Sequence, residues 1–503
     1  MPEYHQLQPF APRSPTAPAP PTPAYSLADP MLPLPGANDQ YLQQVGYAPP
    51  APPAASSSSH ASAFSPRPLD VHPYSNAHFS HHVHHYQVED TGMKSIGRVK
   101  RVNRRRLILF GGLGVLVAAA LTVGVLFGVG VLHIPTNSDA ITASSTGPTA
   151  VSFTGKKVMP VPGGVMFGAH LWGDNIDWAP SSPQEWNSFA GFNGAGFGIF
   201  SSVDADKGVR DYNLVLEKAD AVKAAGAFLL LTIEPMDAKG LDMITDDVLA
   251  KIAGLAKKVN DKGVPLMLRF AHEMNGSWNP WGQHPEKYRE TWKRLAKAVR
   301  AKAPMTSLVW SPNGPQGYPW SSETYAAKPG SADYAAMDTN GDGVVDANDD
   351  PYSPYFPGTD YVDWIGGSIF HFDTYPFGKN EMPKANSALD MVMGGNVSTW
   401  SIAKFAKDRN LPFGAFETGI IYYPKPVSGE TGTDVNRNLK RAWLAQLLDP
   451  NLRKQSGLAL AIWFEIAKTE ATNLYRDFSL FKEPSVRSDI KEDFKSYTVV
   501  GAK

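Results

Sequence analysis

The feature that most constrains the fold is an alternation of apolar strand-like runs and helical patterns from about residue 156 to the end of the chain. Most of the runs are separated by stretches with the 3.6-residue periodicity of an amphipathic helix. The predicted strands are Val165–His170, Phe197–Val203, Phe228–Ile233, Leu266–Phe270, Ser307–Trp310, Val362–Phe370, Phe413–Phe416 and Leu458–Phe464.

Helices are predicted between these strands. In one of them Val248, Ile252, Leu255 and Val259 recur at helical spacing. Strands alternating with helices predict right-handed βαβ units around a parallel sheet. Eight repeats favour an α/β fold of the closed (β/α)8 TIM-barrel class for residues 156–503, with a doubly wound open sheet as the alternative. The predicted helices are Asn213–Ala225, Asp247–Lys262, Pro285–Ala303, Thr399–Arg409 and Asp434–Leu448.

The first 106 residues have a different composition, rich in Pro, Ala, Ser and His. Such a segment does not bury enough apolar surface to offset the entropy of ordering, so it is predicted to be a disordered tail. The tail ends in a basic cluster of Lys and Arg between residues 94 and 106. No cysteine is present, which excludes disulfides and thiolate metal sites. The net charge of −1 gives no reason to expect a nucleic-acid partner.

A single transmembrane helix is predicted at residues 107–132, an uncharged and almost wholly apolar run. A helix of this length exceeds the roughly 30 Å hydrocarbon core of a bilayer. Lys and Arg lie just before the run, whereas the predicted Ser/Thr/Gly/Pro linker at 133–155 has none. The positive-inside rule then predicts a single-pass type II membrane protein with its N-terminus in the cytoplasm and its C-terminal domain outside.

Two carboxylates follow apolar strands of the predicted barrel. Glu273 stands where the fourth strand gives way to a polar, aromatic loop, and Glu417 directly follows the seventh. Catalytic groups of a (β/α)8 barrel lie at the carboxyl ends of its strands. Two facing carboxyl groups about 5–5.5 Å apart are what a retaining glycosidase needs. Glu273 and Glu417 are therefore the candidate catalytic pair, and this chemistry needs no cofactor.

The sequence resembles glycoside hydrolase family 26 over roughly residues 156–490. The resemblance rests on the segment His272-Glu273-Met274-Asn275-Gly276-Ser277-Trp278-Asn279-Pro280-Trp281-Gly282, on Phe416-Glu417-Thr418-Gly419, and on Trp463. Members of this family are retaining enzymes on a (β/α)8 barrel. Many are endo-β-1,4-mannanases, and others cleave mixed-linkage β-glucan or β-1,3-xylan.

The resemblance also implies roles for individual residues. Glu273 would be the acid/base and Glu417 the nucleophile. A sugar in the cleaved subsite would contact His272 and stack on Trp463. Trp278 and Trp281 would form the aromatic wall of the leaving-group side, and Asn275 is a further candidate for binding substrate.

One position departs from the family pattern. The family usually has a tyrosine near the end of strand six, where this chain has Phe370. Either His371 or Tyr375 substitutes for it, or the catalytic rate is lowered. Glu234, at the end of the third strand, is a further candidate for lining the cleft.

A second motif predicts a structural calcium site between strands five and six. Residues 338–349 have oxygen-bearing side chains at loop positions 1, 3, 5, 9 and 12, with Gly343 at position 6. Hard oxygen ligands at this spacing suit Ca²⁺. The aspartate at position 12 makes the loop similar to a dockerin-type calcium loop. The predicted ligands are Asp338, Asn340, Asp342, the Val344 carbonyl, Asp346 and Asp349.

Two N-glycosylation sequons begin at Asn275 and Asn396. A glycan on Asn275 would block the proposed cleft, so only Asn396 is expected to be an acceptor.

The leading functional hypothesis is a cell-surface endo-β-glycanase acting on a polysaccharide, with β-1,4-mannan as the expected substrate. A mixed-linkage β-1,3-1,4-glucanase is the alternative within the enzyme class, because the catalytic pair would be the same. A catalytically silent, membrane-tethered polysaccharide-binding protein is the alternative from another class. The two glutamates argue against that last alternative, and Phe370 argues mildly for it.

Overall fold

The computed structural model describes residues 147–172, 180–321, 324–374, 377–395, 398–469 and 474–503. The predicted tail, the predicted membrane span and most of the predicted linker lie outside these ranges, as do Tyr375 and Asn396. Within these ranges no helix is both long and apolar enough to cross a bilayer. The membrane anchor at 107–132 therefore stays a prediction.

The described ranges contain two sheets, and the larger one carries the eight predicted strands. The strands in chain order are β1 (Thr149–Val151), β2 (Val165–Trp172), β3 (Gly196–Asp204), β4 (Gly208–Val209), β5 (Phe228–Glu234), β6 (Leu266–Phe270), β7 (Thr306–Trp310), β8 (Trp364–His371), β9 (Phe413–Ile420), β10 (Leu458–Phe464), β11 (Ala467–Thr469), β12 (Tyr475–Asp477) and β13 (Val499–Ala502).

The larger sheet closes on itself as a barrel of eight parallel strands. Each of β2, β3 and β5 to β10 pairs in parallel with the next one in the chain. The ring closes where β10 pairs with β2, for example Trp463 with Ala169. The barrel prediction is confirmed, and the open doubly wound alternative is wrong because the first barrel strand, β2, pairs with the last, β10, so these eight strands form a closed ring. Counted around the barrel, β6 is the fourth strand and β9 the seventh.

Helices follow most barrel strands and cover the outside of the sheet. Their order is α1 (Pro183–Ala190), α2 (Tyr212–Ala224), α3 (Asp246–Asp261), α4 (Pro285–Lys302), α5 (Ala332–Met337), α6 (Ser387–Met393), α7 (Ile402–Asp408), α8 (Thr433–Leu447), α9 (Pro450–Ser456) and α10 (Pro484–Phe494).

Helix α3 shows how the local sequence sets these elements. The Thr245 hydroxyl accepts a hydrogen bond from the Val248 amide at the N-terminus, and Asp246 and Asp247 lie in the first turn, where negative charge is favoured. The apolar residues at helical spacing are all buried against the sheet. The predicted bounds of this helix differ from the observed ones by one residue at each end.

Two observed boundaries differ from the predicted ones: the end of β9 and the start of the folded domain. Strand β9 continues to Ile420, so Glu417 lies inside the strand, not after its end. At the N-terminal side, Thr149–Val151 pairs with β13, and Phe153 packs edge-on against Phe228 with ring centroids 5.4 Å apart. The folded domain therefore begins before residue 156. The backbone N–H and C=O groups at the edge of β13 need hydrogen-bond partners, and Thr149–Val151 of the predicted linker provides them.

Candidate active site

Glu273 lies just beyond the carboxyl end of β6, on a backbone bent out of the ordinary regions. Ala271 and Glu273 have φ angles of 44° and 54°, which non-glycine residues rarely adopt. The bend is held by hydrogen bonds, since the Glu273 amide donates to the Ser311 carbonyl at 2.8 Å and its carbonyl accepts from the Gly276 amide at 2.9 Å. Backbone strain of this kind concentrates at functional sites. Here it aims the Glu273 side chain at the mouth of the barrel.

The Glu273 carboxyl group is buried and accepts hydrogen bonds from neutral donors. The Trp278 indole Nε1 donates to its Oε2 at 3.0 Å, and the Ser368 hydroxyl donates to the same carboxyl group. Only 8% of the residue is exposed. Burial raises the pKa of Glu273, and the nearby negative charge of Glu417 raises it further. Glu273 therefore tends to keep its proton, as an acid catalyst must.

Glu417 lies in β9 opposite Ser368 of β8, beside a bulge that the register shift places at Phe416. The guanidinium of Arg269, which is fully buried in β6, donates to Glu417 Oε1. Burial alone raises the pKa of Glu417, but the positive charge of Arg269 outweighs burial and lowers it. Glu417 is therefore ionised, as a nucleophile must be.

The two carboxyl groups belong to one hydrogen-bonded network. Arg269 also donates to the Ser368 hydroxyl at 3.1 Å, and Ser368 in turn contacts Glu273. The network thus joins Glu273 to Glu417 across β6, β8 and β9. A pair of carboxyl groups whose environments drive their pKa values apart is the pattern of an acid and a nucleophile in one site.

Two histidines flank the ionised carboxylate. His272 Nε2 lies 3.7 Å from Glu417 Oε1, and its Nδ1 lies 3.9 Å from Glu234 Oε1. His170 Nε2 lies 2.9 Å from the carbonyl oxygen of Phe416. Burial lowers the pKa of His272 to about 3 and that of His170 to about 4, so both rings are neutral at physiological pH. The structure thus places the predicted His272 beside Glu417.

Glu234 and Lys468 complete the polar lining of the mouth. Burial raises the pKa of Glu234 to about 8, with a further increase from Glu417. Lys468 is in β11, and its Nζ lies 5.5 Å from the centroid of the Phe464 ring. Burial lowers the pKa of Lys468, while the carboxyl groups of Glu417, Glu273 and Glu234 oppose that decrease. The structure therefore brings Glu234 to the predicted cleft and adds one cation to it.

Three of the predicted sugar-binding residues are engaged in holding the loop after β6. The indole of Trp281 is fully buried, and its Nε1 donates to the His272 carbonyl at 2.7 Å. The side-chain amide of Asn275 both donates to and accepts from the backbone of Asn313, at 3.1 and 2.8 Å. Trp278 donates to Glu273 as described above. Asn275 is also fully buried, which agrees with its expected failure as a glycan acceptor.

The predicted aromatic platform on the eighth barrel strand is displaced by one residue. Trp463 is fully buried, and its Nε1 donates to the Phe478 carbonyl at 2.8 Å. Its neighbour Phe464 pairs with His170 across the ladder, and the two rings are 6.1 Å apart. Because successive strand residues point to opposite faces, Phe464 points into the mouth and Trp463 away from it. The structure therefore corrects the prediction for Trp463: the aromatic ring of this strand that faces the mouth belongs to Phe464.

His371 does not join the catalytic cluster either. Its Nε2 lies 3.1 Å from the Glu381 carbonyl, and its ring packs against Trp443 of α8 at 5.7 Å. Ser368 and Phe370 share the inner face of β8, so His371 is on the outer one. Tyr375, the other expected substitute for the family tyrosine, lies outside the described residues. Among the described residues, the contact to Glu417 Oε1 that orients the carboxylate comes from Arg269.

Sequence reasoning missed several residues of the site: Arg269, Ser368, His170, Phe464 and Lys468. Arg269 gave a signal, because it is the only charged residue in the apolar run Leu266–Phe270 and a buried charge requires a partner. The others gave none. Ser368 and His170 acquire their roles through partners more than 90 positions away in the chain.

The predicted calcium loop folds around its own backbone. Asp338 accepts from the amides of Gly341, Asp342 and Gly343, and the buried Asp349 accepts from Thr339, Asn340 and Asp346. In the part of the chain that the structure describes, no group of three or more His, Cys, Asp or Glu side chains is placed to hold a metal ion. The calcium ion stays a prediction from the spacing of the oxygen ligands.

Comparison with known proteins finds a family model that matches part of the barrel. Residues 233–396 match the family model described as glycosyl hydrolase family 26. This segment begins at the end of β5 and contains Glu273, whereas Glu417 lies beyond it. Within these residues the chain is similar to glycosyl hydrolase family 26.

Curated relatives match over similar lengths. An endoglucanase H of Acetivibrio thermocellus is 26% identical over 171 residues, which cover 33% of this chain and 16% of the relative. A mannan endo-1,4-beta-mannosidase of Bacillus subtilis is 24% identical over 171 residues, covering 31% of this chain and 39% of the relative. The chain thus spans well under half the length of both proteins.

Among solved structures, the catalytic domain of the GH26 endo-beta-1,4-mannanase from Bacillus sp. JAMB-750 is similar, with a TM-score of 0.42 and 17% identity. The match covers 68% of this chain and 91% of that one.

Proposed function

We propose that the barrel is an O-glycosyl hydrolase of family 26 that cleaves a β-linked polysaccharide with retention of configuration, and that its substrate is β-1,4-mannan. The observation that carries the proposal is the network Glu273–Ser368–Arg269–Glu417, in which one carboxyl group is kept protonated and the other ionised. The family match over residues 233–396 supports the same chemistry.

In the first step of the proposed reaction, Glu273 donates its proton to the glycosidic oxygen while Glu417 attacks the anomeric carbon. The bond to the leaving sugar breaks as the bond to Glu417 forms. In the second step Glu273, now ionised, removes a proton from water, and the resulting hydroxide displaces Glu417 from the anomeric carbon. Burial favours the protonated form of Glu273 between turnovers. Arg269 stabilises the carboxylate that leaves in the second step.

Mannan is proposed because relatives of this chain are named mannan endo-1,4-beta-mannosidases. The relative named endoglucanase H keeps a mixed-linkage β-1,3-1,4-glucan as the alternative substrate. Release of reducing ends from mannan, glucomannan, barley β-glucan and β-1,3-xylan by the full-length chain separates these possibilities. If none of the four is hydrolysed, the proposed enzyme activity is wrong.

A catalytically silent binding protein is the alternative that Phe370 favours, since the family tyrosine is missing there. The contact from Arg269 to Glu417 argues against it, because the carboxylate is oriented without a tyrosine. The discriminating variant is Glu417→Gly. An enzyme loses nearly all turnover in this variant but still binds its polysaccharide, whereas a pure binder has no turnover to lose.

We also propose that residues 107–132 anchor the barrel to a membrane as a type II protein. The support is the length, apolarity and basic flank of the segment. The full-length chain should stay with membranes after an alkaline carbonate wash, and a chain lacking 107–132 should be released. Protease added to sealed cells should cleave the barrel if it lies outside. Release of the full-length chain by carbonate would contradict the anchor.

A further inference from the structure

Glu234 and Glu417 lie at opposite ends of one histidine ring. The Nδ1 atom of His272 is 3.9 Å from Glu234 Oε1, and its Nε2 atom is 3.7 Å from Glu417 Oε1. All three residues are buried, with 3% of Glu234, 5% of His272 and 8% of Glu417 exposed. The imidazole ring therefore separates two carboxyl groups in a place that is largely closed to bulk water.

The backbone fixes the position of this histidine relative to Glu234. Glu234 ends β5, and the carbonyl of the preceding Ile233 accepts a hydrogen bond from the Ala271 amide at 2.9 Å. Glu234 and His272 each follow one partner of this hydrogen bond, so their side chains start from neighbouring positions on the rim. The His272 carbonyl accepts a further hydrogen bond from the Trp281 indole at 2.7 Å, which holds its backbone in place.

Aromatic neighbours restrict the His272 ring itself. Its centroid lies 6.2 Å from that of the Phe200 ring and 6.1 Å from that of the Trp281 ring. Among the described residues, its Nδ1 atom has no partner at hydrogen-bonding distance. A buried polar atom without a partner is costly, so it calls for an explanation. Glu234 is the carboxyl group on that side of the ring, and a small movement of its side chain would supply the partner.

The ionisation states of the three groups decide where the protons lie. Burial lowers the pKa of His272 to about 3, so the ring is neutral and carries a single N–H. Burial raises the pKa of Glu234 to about 8, and the charge of Glu417 raises it further, so near neutral pH Glu234 has a proton to donate. Arg269 outweighs the effect of burial and lowers the pKa of Glu417, so this carboxylate only accepts hydrogen bonds.

We propose that Glu234 is a positioning residue that sets the tautomer of His272. The Glu234 O–H donates to Nδ1, so the ring proton is on Nε2, where it faces the Glu417 carboxylate. The other tautomer would set Nδ1–H against the O–H of Glu234 and the Nε2 lone pair against the negative charge of Glu417. This inference rests on the proposed function, because Glu417 is the proposed nucleophile. Glu234 thus acts on the reaction through His272.

Loss of the Glu234 proton to solvent reverses this arrangement. An ionised Glu234 only accepts hydrogen bonds, so the ring proton exchanges through water from Nε2 to Nδ1. The Nε2 lone pair then faces Glu417, which loses a hydrogen-bond donor, and turnover should fall as the pH rises.

The groups around Glu234 act on this proton in both directions. Arg269 of β6 and Lys468 of β11 favour the ionised form, whereas burial, Glu417 of β9 and Glu273 favour the protonated form. His272 is neutral and adds no charge. The proton of Glu234 therefore leaves in the range in which activity is measured.

The kinetic test compares Glu234→Gln with Glu234→Met in the full-length chain. Both replacements are uncharged and close in size to glutamate, but only the glutamine amide can donate to Nδ1. Glu234→Met should lower kcat/KM roughly tenfold near neutral pH, and Glu234→Gln should stay within about threefold of the wild type, as expected for one buried hydrogen bond. Equal losses in the two variants would mean that only the shape of the side chain matters and would overturn the proposal.

The profile of kcat/KM against pH gives a second readout. In the wild type Glu234 and Glu273 must both keep a proton, so the basic limb reflects the loss of two protons. In Glu234→Gln only Glu273 is left to ionise, and the limb should be less steep. The matched control is Glu465→Gln. Burial also raises the pKa of Glu465 to about 8, but its neighbours are Phe481 and Lys440, so the steepness should not change. An unchanged limb in Glu234→Gln would contradict the proposal.

The tautomer is also measured directly, without substrate. In the full-length chain labelled with ¹⁵N-histidine, two-bond ¹H–¹⁵N spectra distinguish a protonated ring nitrogen from an unprotonated one. Signals that disappear in His272→Gln belong to His272. The wild type should have the ring proton on Nε2 at about pH 6 and on Nδ1 at about pH 9, on either side of the Glu234 pKa. Glu234→Gln should keep it on Nε2 at both.

These spectra separate the inference from the proposed activity. If the wild type hydrolyses a polysaccharide but has its ring proton on Nδ1 at about pH 6, the tautomer proposal is wrong and the enzyme proposal stands. If the tautomers follow Glu234 as expected but no polysaccharide is hydrolysed, the role of Glu234 in setting the tautomer is supported and the enzyme proposal is overturned.

Discussion

Glu273 and Glu417 are equally buried, yet their side chains are held in opposite ionisation states. Burial raises the pKa of any carboxyl group, because the charged form loses its hydration. Among the described residues, the hydrogen bonds to Glu273 come from Trp278 and Ser368, which are neutral. Glu417 receives one from Arg269, whose charge outweighs the effect of burial. In the proposed mechanism, the charge of the buried Arg269 therefore distinguishes the acid from the nucleophile.

This difference predicts the behaviour of Arg269→Met. Without the guanidinium the pKa of Glu417 rises, so the ionised nucleophile is lost at a higher pH than in the wild type. The acidic limb of the profile of kcat/KM against pH should move to higher pH, and the maximum should fall by about a hundredfold or more, as for the loss of a preorganised electrostatic contact.

The matched control for this prediction is Arg294→Met. Arg294 forms an exposed ion pair with Asp246 on the helical surface, so its loss should leave the profile unchanged. An acidic limb that stays in place in Arg269→Met would show that Arg269 does not set the ionisation of Glu417.

At the scale of elements, the loop after β6 is built around the contact between Trp278 and Glu273. A side chain on Gly276 would overlap the Trp278 ring, so only glycine leaves space for the indole to reach the carboxyl group. Gly276→Ala should therefore displace Trp278, lower kcat strongly and destabilise the fold by about 1–3 kcal/mol, as overpacking does. Initial rates and thermal unfolding measure the two effects.

Gly254→Ala is the matched control, because Gly254 lies within α3 and a Cβ there meets nothing within 4 Å. Alanine is the better helix former by about 0.5–1 kcal/mol, so this variant should be slightly more stable and equally active. Full activity in Gly276→Ala would contradict the role assigned to the glycine.

The loop at residues 338–349 is a second element whose sequence makes a prediction. If the spacing of its oxygen ligands reports a calcium site, EDTA should lower the melting temperature of the wild type by several degrees and Ca²⁺ should restore it, since a ligand that binds only the folded state stabilises it. Asp342→Ala should remove this response, because Asp342 is exposed and supplies one predicted ligand. A melting temperature that EDTA does not change would make the calcium prediction wrong.

For the whole molecule, the buried charges predict how stability varies with pH. Glu465 is 2% exposed, and burial raises its pKa to about 8 from an ordinary value of 4.5. Between these two values the folded protein binds more protons at Glu465 than the unfolded chain does. The contribution of Glu465 to the free energy of unfolding therefore falls as pH rises through this range. Lys440 lies close enough for its charge to oppose the increase in the Glu465 pKa.

Glu465→Gln should remove this pH dependence. The amide oxygen of glutamine can still accept the hydrogen bond that the Phe481 amide gives to Glu465. The variant should lose less stability than the wild type between about pH 5 and pH 8, by about 2 °C or more in melting temperature. If the melting temperatures of the two proteins fell in parallel with rising pH, Glu465 would have the same pKa in the folded and unfolded chains.

The sequence by itself determined the eight strands, most of the helices and the barrel. It also determined that Glu273 and Glu417 are the candidate catalytic pair. These follow from patterns within a few neighbouring residues, namely apolar periodicity and a carboxylate at the end of a strand. The order of strands along the chain is also their order around the barrel, so the topology needed no long-range information.

Only the tertiary structure decided which side chains face the mouth and which glutamate keeps its proton. On the eighth barrel strand the ring that faces the mouth belongs to Phe464 and not to Trp463, because the strand pairing sets Phe464 beside His170 on the inner face. A shift of one residue along a strand moves a side chain to the opposite face of the sheet. Arg269 donates a hydrogen bond to Glu417, which lies 148 positions away in the sequence. Ionisation depends on burial and on charges brought together by the fold, and neither is a property of a local segment.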